Sequence, residues 1–383
     1  MNVFIGWQLN AVTGWGRYGM EFARELTRRR HRVTCLALDG VAHEPPLHQV
    51  ALRGVGDWRA IQERTKALHV DVAFLALGNH GTGTELPPGV TADRVVACIF
   101  SEDTAWTSDE VAHLNTFELI VAGSCWNAEV LRAAGVTTRL EVIIQGVNPA
   151  IWHPAPRNPA FEGRFAVFSG GKLEFRKGQD IVVAAFREFR ASHPEAVLVT
   201  AWQNVWPDTM QGIDLSGHVQ GVPAQKGSQL DIAGWLERNG VPRSASIDVG
   251  MLPNHLLADI VRACDVAVFP NRAEGGTNLA AMECIAAGVP TIVSANTGHR
   301  DLEEYALPLP VQCAVPTGCT LYQGTDGWGE TSPTDVVWGM EGACIEGRVK
   351  RELDWILHSG EAERMMRTYS WRHTVDHILA VVA

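Results

Sequence analysis

The chain has 383 residues, of which 32 are Lys or Arg and 43 are Asp or Glu, giving a formal net charge of −11. A chain of this length is expected to form two or three domains. Its apolar fraction of 46% and charged fraction of 20% are those of a globular protein rather than a disordered one. A surface with this excess of negative charge repels a phosphate backbone, which argues against nucleic acid as a partner.

The eight cysteines include no Cys-x-x-Cys pair, and several lie inside apolar segments. This pattern predicts reduced, buried thiols in a cytoplasmic protein and no zinc site. The apolar runs are much shorter than the ~20 residues of a membrane-spanning helix, and the N-terminus has no basic, signal-like region. The basic run at residues 28–32 either complements a helix end or touches an anionic membrane, so any such contact would be peripheral, at the inner face.

Short apolar runs alternate with helical patterns through the first 150 residues. A helix is predicted over residues 16–30, because Tyr18, Phe22 and Leu26 recur at a spacing of four. Runs with little polar alternation indicate strands buried on both faces, so we predict a parallel sheet in an α/β domain over residues 1–150. The predicted strands are residues 3–6, 33–38, 72–77, 95–100, 119–122 and 141–144.

A proline-rich stretch at residues 146–160 interrupts this alternation and is predicted to link two domains. The alternation then resumes, so a second α/β domain of similar size is predicted over residues 151–360. Its predicted strands are residues 165–169, 196–200, 266–269 and 290–294, and its predicted helices are residues 179–189 and 277–287. In such folds ligands bind beyond the carboxyl ends of the strands, and the cleft between two domains is the expected site.

A glycine-rich segment, Gly14-x-Gly16-x-x-Gly19, opens the first predicted helix. Glycine lets the backbone approach a ligand closely, and a helix start offers unpaired N–H groups to an anion. The letters match the dinucleotide fingerprint, but the loop before them is predicted to be about seven residues long and Asp39 lies beyond the second strand. A nicotinamide site is therefore disfavoured, while a plain turn and a loop for a phosphate or an acceptor both stay open.

A second segment combines glycines with lysines at the end of a strand. Gly170 and Gly171 end the strand, Lys172 follows at once, and Lys177 comes five residues later before a helix. Two ammonium groups and flexible backbone at the carboxyl end of a strand can hold an anion, although the Walker pattern is absent. The alternative is a charged surface loop.

The most specific segment runs from Glu274 to Glu283. Thr277 is predicted to cap a helix, and Gly288 to end it in the left-handed conformation. Glu274 would then lie in the loop before the helix and Glu283 about two turns inside it. Two such carboxylates can bind the hydroxyls of a polyol, and the N–H groups at the helix start can bind phosphate. The alternative is a solvated helix residue and a loop acid that stabilises the helix dipole.

Together these motifs resemble those of glycosyltransferases of the GT-B fold, specifically family 4. That family shows a strand ending in Gly-Arg-Leu, then Lys-Gly, then two glutamates separated by seven residues before Ala-x-Gly-x-Pro. The resemblance covers nearly the whole chain and is strongest over residues 165–300. The matching segments are Gly171-Lys172-Leu173, Lys177-Gly178, Glu274 with Glu283, and Ala287-Gly288-Val289-Pro290.

The chain departs from the family pattern at three points. Lys172 replaces an arginine, which keeps the charge but loses the planar fork. Eight residues separate Glu274 from Glu283, so the loop before the helix is one residue longer. No histidine follows the strand that ends at Phe100, where the family often has one. Its place is expected to be taken by Glu102, by Asp103 or by His80.

The resemblance implies two facing Rossmann-like domains with a cleft between them, and a last helix, residues 361–383, that packs back on the N-terminal domain. It implies retaining transfer of a sugar from a nucleotide-sugar donor to a glycan, lipid-linked or small-molecule acceptor. Lys172 and Lys177 would stabilise the leaving diphosphate, Glu283 would bind the ribose, and Glu274 the donor sugar. Because two lysines supply positive charge, neither a metal nor another cofactor is expected.

Further residues are expected at the donor site, including a loop that would contact the base. They are Gly14, Gly16, Gly170, Gly171, Met251, Leu252, Gly275, Gly276, Thr277, Asn278 and Leu279. Flat tryptophan faces suit sugar rings, with core packing as the alternative; the candidates are Trp7, Trp15, Trp106, Trp126, Trp202 and Trp206. Three other functions are weighed against the transferase. A nucleotide-sugar epimerase would need no acceptor, and a non-catalytic partner subunit would bind no nucleoside diphosphate. The third is a nicotinamide-dependent dehydrogenase, which the glycine-rich segment disfavours.

Overall fold

A computed structural model describes residues 1–81, 85–350 and 359–382. The chain divides into two compact units. The N-terminal unit comprises Met1–Asn148, Pro253–His255 and Thr368–Ala383, and the C-terminal unit comprises Pro149–Leu252 and Leu256–Arg367. The last part of the predicted second domain, residues 351–358, lies outside the described residues. In the described part of the chain no helix combines the length and the apolar character needed to cross a membrane.

The N-terminal unit is built on a parallel sheet, as its buried apolar runs predict. The strand order is β3-β2-β1-β4-β5-β6-β7, counting the strands found among the described residues. The strands are β1 (Asn2–Leu9), β2 (Arg32–Leu38), β3 (Gly56–Asp57), β4 (Leu68–Leu77), β5 (Val90–Ile99), β6 (Leu119–Ala122) and β7 (Arg139–Val142). Its helices are α1 (Gly14–Arg28), α2 (Pro46–Leu52), α3 (Trp58–Ile61), α4 (Ser108–Leu114) and α5 (Cys125–Ala133).

Strand β1 is longer than its sequence pattern predicts. The prediction ended it at Gly6, but the strand continues to Leu9 through a register irregularity between Ile5 and Gln8. The exposed Gln8 breaks the apolar run, although Leu9 beyond it is buried. The loop before α1 therefore has only the residues 10–13, so the expected seven-residue loop is wrong.

The C-terminal unit repeats the parallel α/β pattern. Within the described ranges its main sheet has the strand order β12-β9-β8-β13-β14-β15. The strands are β8 (Phe165–Gly170), β9 (Ala196–Ala201), β12 (Ser246–Asp248), β13 (Val266–Phe269), β14 (Thr291–Ser294) and β15 (Leu307–Leu309), with β10 (Gln225–Lys226) and β11 (Gln229–Leu230) forming a separate hairpin. The helices are α6 (Gln179–Ser192), α7 (Ile232–Arg238), α8 (Asn254–Ala263), α9 (Leu279–Ala286), α10 (Pro333–Lys350) and α11 (Ser359–Thr368).

The last helix, α12 (Trp371–Val382), belongs to the N-terminal unit. Trp371, Val375 and Ile378 are buried in the same apolar core as Tyr18 of α1. Arg29 of the basic run contributes to this packing, because its guanidinium lies 2.6 Å from the Asp376 carboxylate of α12. Most of α11 precedes the boundary at Thr368 and lies in the C-terminal unit, so the predicted segment 361–383 is divided between the two units.

Candidate active site

Loops at the carboxyl edge of the C-terminal sheet hold most of the predicted site residues. After β8 the chain passes Gly171, whose φ is +109°, and reaches a turn of 3-10 helix at Phe175–Lys177. Gly178 follows with a φ of +67°. A Cβ there would lie 2.2 Å from the carbonyl oxygen of Pro270, which directly follows β13. Glycine at position 178 thus lets the lysine-bearing loop contact the loop that carries Glu274.

The N-cap of helix α9 lies one residue later than its sequence predicts. Asn278, not Thr277, is the N-cap; it has a φ of +60°, and its side chain accepts a hydrogen bond from Ala281 N. Asparagine tolerates this left-handed backbone better than the β-branched threonine, whose hydroxyl points to the sulfur of Met282 instead. Glu283 is consequently the fifth residue of α9, little more than one turn in, and it is buried. Leu279, the first residue of the helix, is half-buried.

Glu274 lies at the centre of a group of charges. Its carboxylate pairs with Lys177 Nζ and with Arg176 Nη1, the latter at 3.0 Å, and accepts a hydrogen bond from Asn271. Burial alone would raise the pKa of Glu274, but Lys177, Arg176 and His299 lower it to about 2. Burial lowers the pKa of Lys177, an effect that Glu274 opposes.

A second carboxylate, Glu174, joins the same group. Its Oε2 lies 3.1 Å from Lys172 Nζ and 3.2 Å from Arg176 Nε. The Tyr322 hydroxyl donates to its Oε1 at 2.7 Å. Burial opposes ionisation of Glu174, but Arg176 and Lys172 hold its pKa below the ordinary value. We call Lys172, Glu174, Arg176, Lys177 and Glu274 the ionic cluster; with three cations and two carboxylates, it keeps one positive charge.

His299 completes this region and was missed in the sequence. The Asn278 amide donates to His299 Nε2 at 3.1 Å, since its oxygen already caps α9. Burial lowers the pKa of His299 to about 4, so the ring is neutral at pH 7. The sequence does contain a signal for His299, because it lies in the polar run that follows β14. Strands β13 and β14 are neighbours in the sheet, so the residues that follow them meet at the same edge.

The other predicted residues of this unit lie near the same edge. Gly275 and Gly276 are buried in the loop between β13 and α9. A Cβ on Gly298, which follows β14, would come within 1.7 Å of the Gly276 carbonyl oxygen, so the two loops pack backbone to backbone. Met251 and Leu252 follow β12, which β9 separates from β8. They therefore stay a prediction for a base-binding loop rather than members of the ionic cluster.

The glycines of α1 have mainly local explanations in the structure. Thr13 caps the helix and accepts from Gly16 N at 3.1 Å. A Cβ on Gly16 would lie 2.5 Å from the Asn10 side chain, so Gly16 is required for packing of the loop. A Cβ on Gly14 would meet nothing within 4 Å, so no neighbour requires glycine there.

A second group of titratable side chains, in the N-terminal unit, consists of His80, Asp103 and Glu110. The His80 Nε2 lies 3.2 Å from Asp103 Oδ2, and the His80 Nδ1 lies 3.2 Å from Glu110 Oε1. His80 has a φ of +66°, a strained conformation for a residue other than glycine. Glu102 is half-buried, and its N–H donates to the Asn79 side chain at 2.8 Å. Among the candidates to replace the family histidine, Asp103 and His80 are therefore paired with each other.

One expectation about side-chain types needs correction. The cysteines are free thiols, but Cys125 and Cys313 are exposed and Cys319 is half-buried, because they lie in a helix start and in loops.

Of the six candidate tryptophans, Trp206 is the most exposed, at 53%. Lys172 Nζ lies 5.4 Å from the centre of its ring.

The fold is shared with solved glycosyltransferase structures. A sucrose-phosphate synthase from Thermosynechococcus elongatus matches with a TM-score of 0.63 at 14% identity, covering 100% of this chain and 98% of that one. The trehalose-6-phosphate synthase OtsA gives 0.65 at 12%, covering 100% and 99%. HepE from Anabaena, in complex with UDP-glucose, gives 0.63 at 13%, covering 100% of both chains. These likenesses show that the protein has the GT-B fold.

The sequence comparisons define the family. A family model described as family 4 glycosyltransferase in conflict systems matches residues 119–329. Because that match spans more than half of the chain, the protein belongs to this family of glycosyltransferases. Glycogen synthases of two Mycobacterium tuberculosis strains are 28% identical over 181 residues, or 46% of this chain. The match spans only 37% of their length, so the chain covers little more than a third of these relatives.

Proposed function

We propose that this protein transfers a glycosyl group from a nucleoside diphosphate sugar to an acceptor hydroxyl, with retention and without a metal ion. The observation that carries the proposal is the ionic cluster at the carboxyl edge of the C-terminal sheet. It places three cations beside the start of α9, whose unpaired N–H groups also attract anions.

The electrostatics of this cluster suit a diphosphate leaving group. When the bond from the sugar to the phosphate breaks, negative charge grows on the departing nucleoside diphosphate. We propose that Lys172 and Lys177 stabilise this charge, since a preorganised positive charge needs no reorganisation during the reaction. These side chains supply the charge neutralisation that a metal ion provides in other transferases.

The two glutamates have different environments, which supports different roles. Glu283 is buried on α9, and we propose that it binds the nucleoside ribose. Both oxygens of Glu274 already contact Lys177 or Arg176. A carboxylate has about four acceptor positions, so Glu274 can orient these cations and still accept a hydroxyl of the donor sugar.

The donor and the acceptor are proposed from the fold neighbours. HepE was crystallised with UDP and with UDP-glucose. A trehalose-phosphate synthase from Burkholderia xenovorans, described as UDP-forming, was crystallised with glucose-6-phosphate. We therefore propose UDP-glucose as the first donor to test and a sugar phosphate as the first acceptor. His80 with Asp103 is the proposed hydroxyl-binding pair of the N-terminal unit, since an imidazole held by a carboxylate can accept or orient a hydroxyl proton.

The test is a thermal-shift screen with UDP, GDP, ADP and TDP and their sugar conjugates, with and without EDTA. A ligand that binds only the folded state raises the melting temperature by mass action. We expect a rise with one base, of equal size in EDTA. A flat response to every nucleotide would contradict the proposal and favour a non-catalytic subunit, and a rise abolished by EDTA would contradict metal independence.

Replacing Glu283 with Gln should weaken UDP binding about tenfold, because a hydrogen bond to a charged group contributes about 1.5–3 kcal/mol. Titration calorimetry with UDP and with 2′-deoxy-UDP isolates the ribose contact. The wild type should prefer UDP, and the variant should bind both equally. Glu188→Gln, at an exposed position on α6, is the matched control. If the variant keeps the full preference for UDP, Glu283 does not bind the ribose.

A further inference from the structure

The segment between β15 and α10 reaches the ionic cluster through the side chain of Tyr322. This stretch, residues 310–332, contains little regular structure. Contacts near each of its two ends hold it in place. The backbones of Cys313 and Glu330 form an antiparallel bridge. The Glu330 carboxylate lies 2.6 Å from the Arg272 guanidinium. The Tyr322 ring is buried and makes an edge contact with Trp328 at 4.7 Å between ring centres. Tyr322 is therefore held in place independently of the cluster.

Glu174 connects this tyrosine to two of the cations. The Tyr322 hydroxyl donates to one carboxylate oxygen, and the other oxygen faces Lys172 and Arg176 at 3.1 and 3.2 Å. The hydrogen bond fixes how far the buried carboxylate can turn toward these cations. Without it, the carboxylate is free to move closer to Lys172 and Arg176 and to compete with a bound diphosphate for their positive charge.

We propose that Tyr322 and Glu174 are positioning residues that aim Lys172 and Arg176 at the terminal phosphate of the nucleoside diphosphate. The inference rests on the proposed function, because it assigns these residues to the same donor site. Neither residue needs to touch the nucleotide. Their effect is to keep a positive charge at a fixed place, and a displacement of about 1 Å in such an array can cost ~100-fold in rate.

The test compares binding of UDP and UMP by titration calorimetry to the wild type, Tyr322→Phe and the control Tyr305→Phe. Tyr305 is another tyrosine of the C-terminal unit, whose ring faces Arg364 rather than the ionic cluster. The ratio of the UMP and UDP dissociation constants measures the contribution of the terminal phosphate alone. We expect Tyr322→Phe to reduce this ratio about tenfold by weakening UDP binding, with UMP binding unchanged and the control like the wild type.

Glu174→Gln gives a second, independent measurement, since it removes a negative charge that competes with the phosphates. We expect UDP to bind as tightly as in the wild type or more tightly, while turnover of the donor falls at least tenfold. A merely structural role would weaken UMP and UDP equally in Tyr322→Phe, or leave the ratio within twofold, and either result overturns the inference. If the wild type binds UMP and UDP equally, or neither, the proposed function itself fails and the inference with it.

Discussion

Replacing Lys177 with Ala should lower turnover of the donor about 100-fold, the typical loss when one charge donor to a transition state is removed. The Lys177 ammonium contacts Glu274 and lies in a cluster whose net charge is one unit positive. Without Lys177, the remaining cations are matched by the two carboxylates, so no net positive charge is left for the leaving diphosphate. The measurement is release of UDP from UDP-glucose at saturating donor, well below the melting temperature.

Two controls separate this effect from a loss of folding. Lys226→Ala removes another lysine that pairs with a carboxylate, Asp231, on an exposed hairpin, and it should leave turnover unchanged. Lys177→Met keeps most of the side-chain volume without the charge, and it should lose as much turnover as Lys177→Ala. A near-wild-type rate in both Lys177 variants would remove Lys177 from the mechanism.

The fold and the centre of the site could be predicted because their signals are local. Buried strands appear as apolar runs, and the residues that follow them, such as Lys172 and Glu274, must gather at the carboxyl edge of a parallel sheet. Gly288 was predicted to end α9 in the left-handed conformation, and its φ of +78° confirms this. Strand ends were less predictable, as β1 shows, where the polar Gln8 concealed three further strand residues.

The partners that complete the ionic cluster could not be predicted from local patterns. Tyr322 is 148 positions from Glu174, and Arg176 is 98 positions from Glu274. Nothing in either segment shows which loops will meet, because that depends on strand order. The order β9-β8-β13-β14 is itself a tertiary result, and it brings Lys177, Glu274 and His299 together from three loops.

Strained backbone conformations occur in the loops around Glu274 and at His80. Among the described residues, those other than glycine with positive φ are Arg30, His80, Asn278 and Thr297. Asn278 and Thr297 lie in the loops next to Glu274, and the Thr297 hydroxyl accepts from Glu274 N at 2.9 Å. Such conformations cost about 1–3 kcal/mol each and persist where the surroundings enforce them. This strain gives a reason, independent of the ion pairs, to place function at these loops and at His80.

Loss of Arg272 should destabilise the protein strongly. It is fully buried, at 0% exposure. Its guanidinium makes two hydrogen bonds to Asp180, at 2.8 and 2.7 Å, and one to Glu330 at 2.6 Å. Removing one partner of a buried ion pair costs about 3–5 kcal/mol, because the other charge is left uncompensated. Arg272→Met should therefore lower the free energy of unfolding, measured by urea titration, by about that amount.

The matched control is Arg243→Met, which breaks a pair with Glu237 in which both side chains are more than half exposed, 56% and 51%. Such pairs contribute at most about 1 kcal/mol, so the control should stay close to the wild type. An equal loss in the two variants would show that the buried network around Arg272 does not stabilise the C-terminal unit.

The pH dependence of the same variant tests the cause of the loss. Burial alone would raise the pKa of Glu330, but His218, Arg272 and Ser216 lower it to about 2 from 4.5. A carboxyl with a depressed pKa stabilises the folded state fully above its unfolded value, and this contribution disappears as the pH falls through the folded value. The difference between wild type and Arg272→Met should thus be largest above pH 4.5 and shrink toward pH 2. If the difference does not depend on pH, the loss comes from packing: the methionine side chain fills the space of Arg272 poorly, and the missing charge is not the cause.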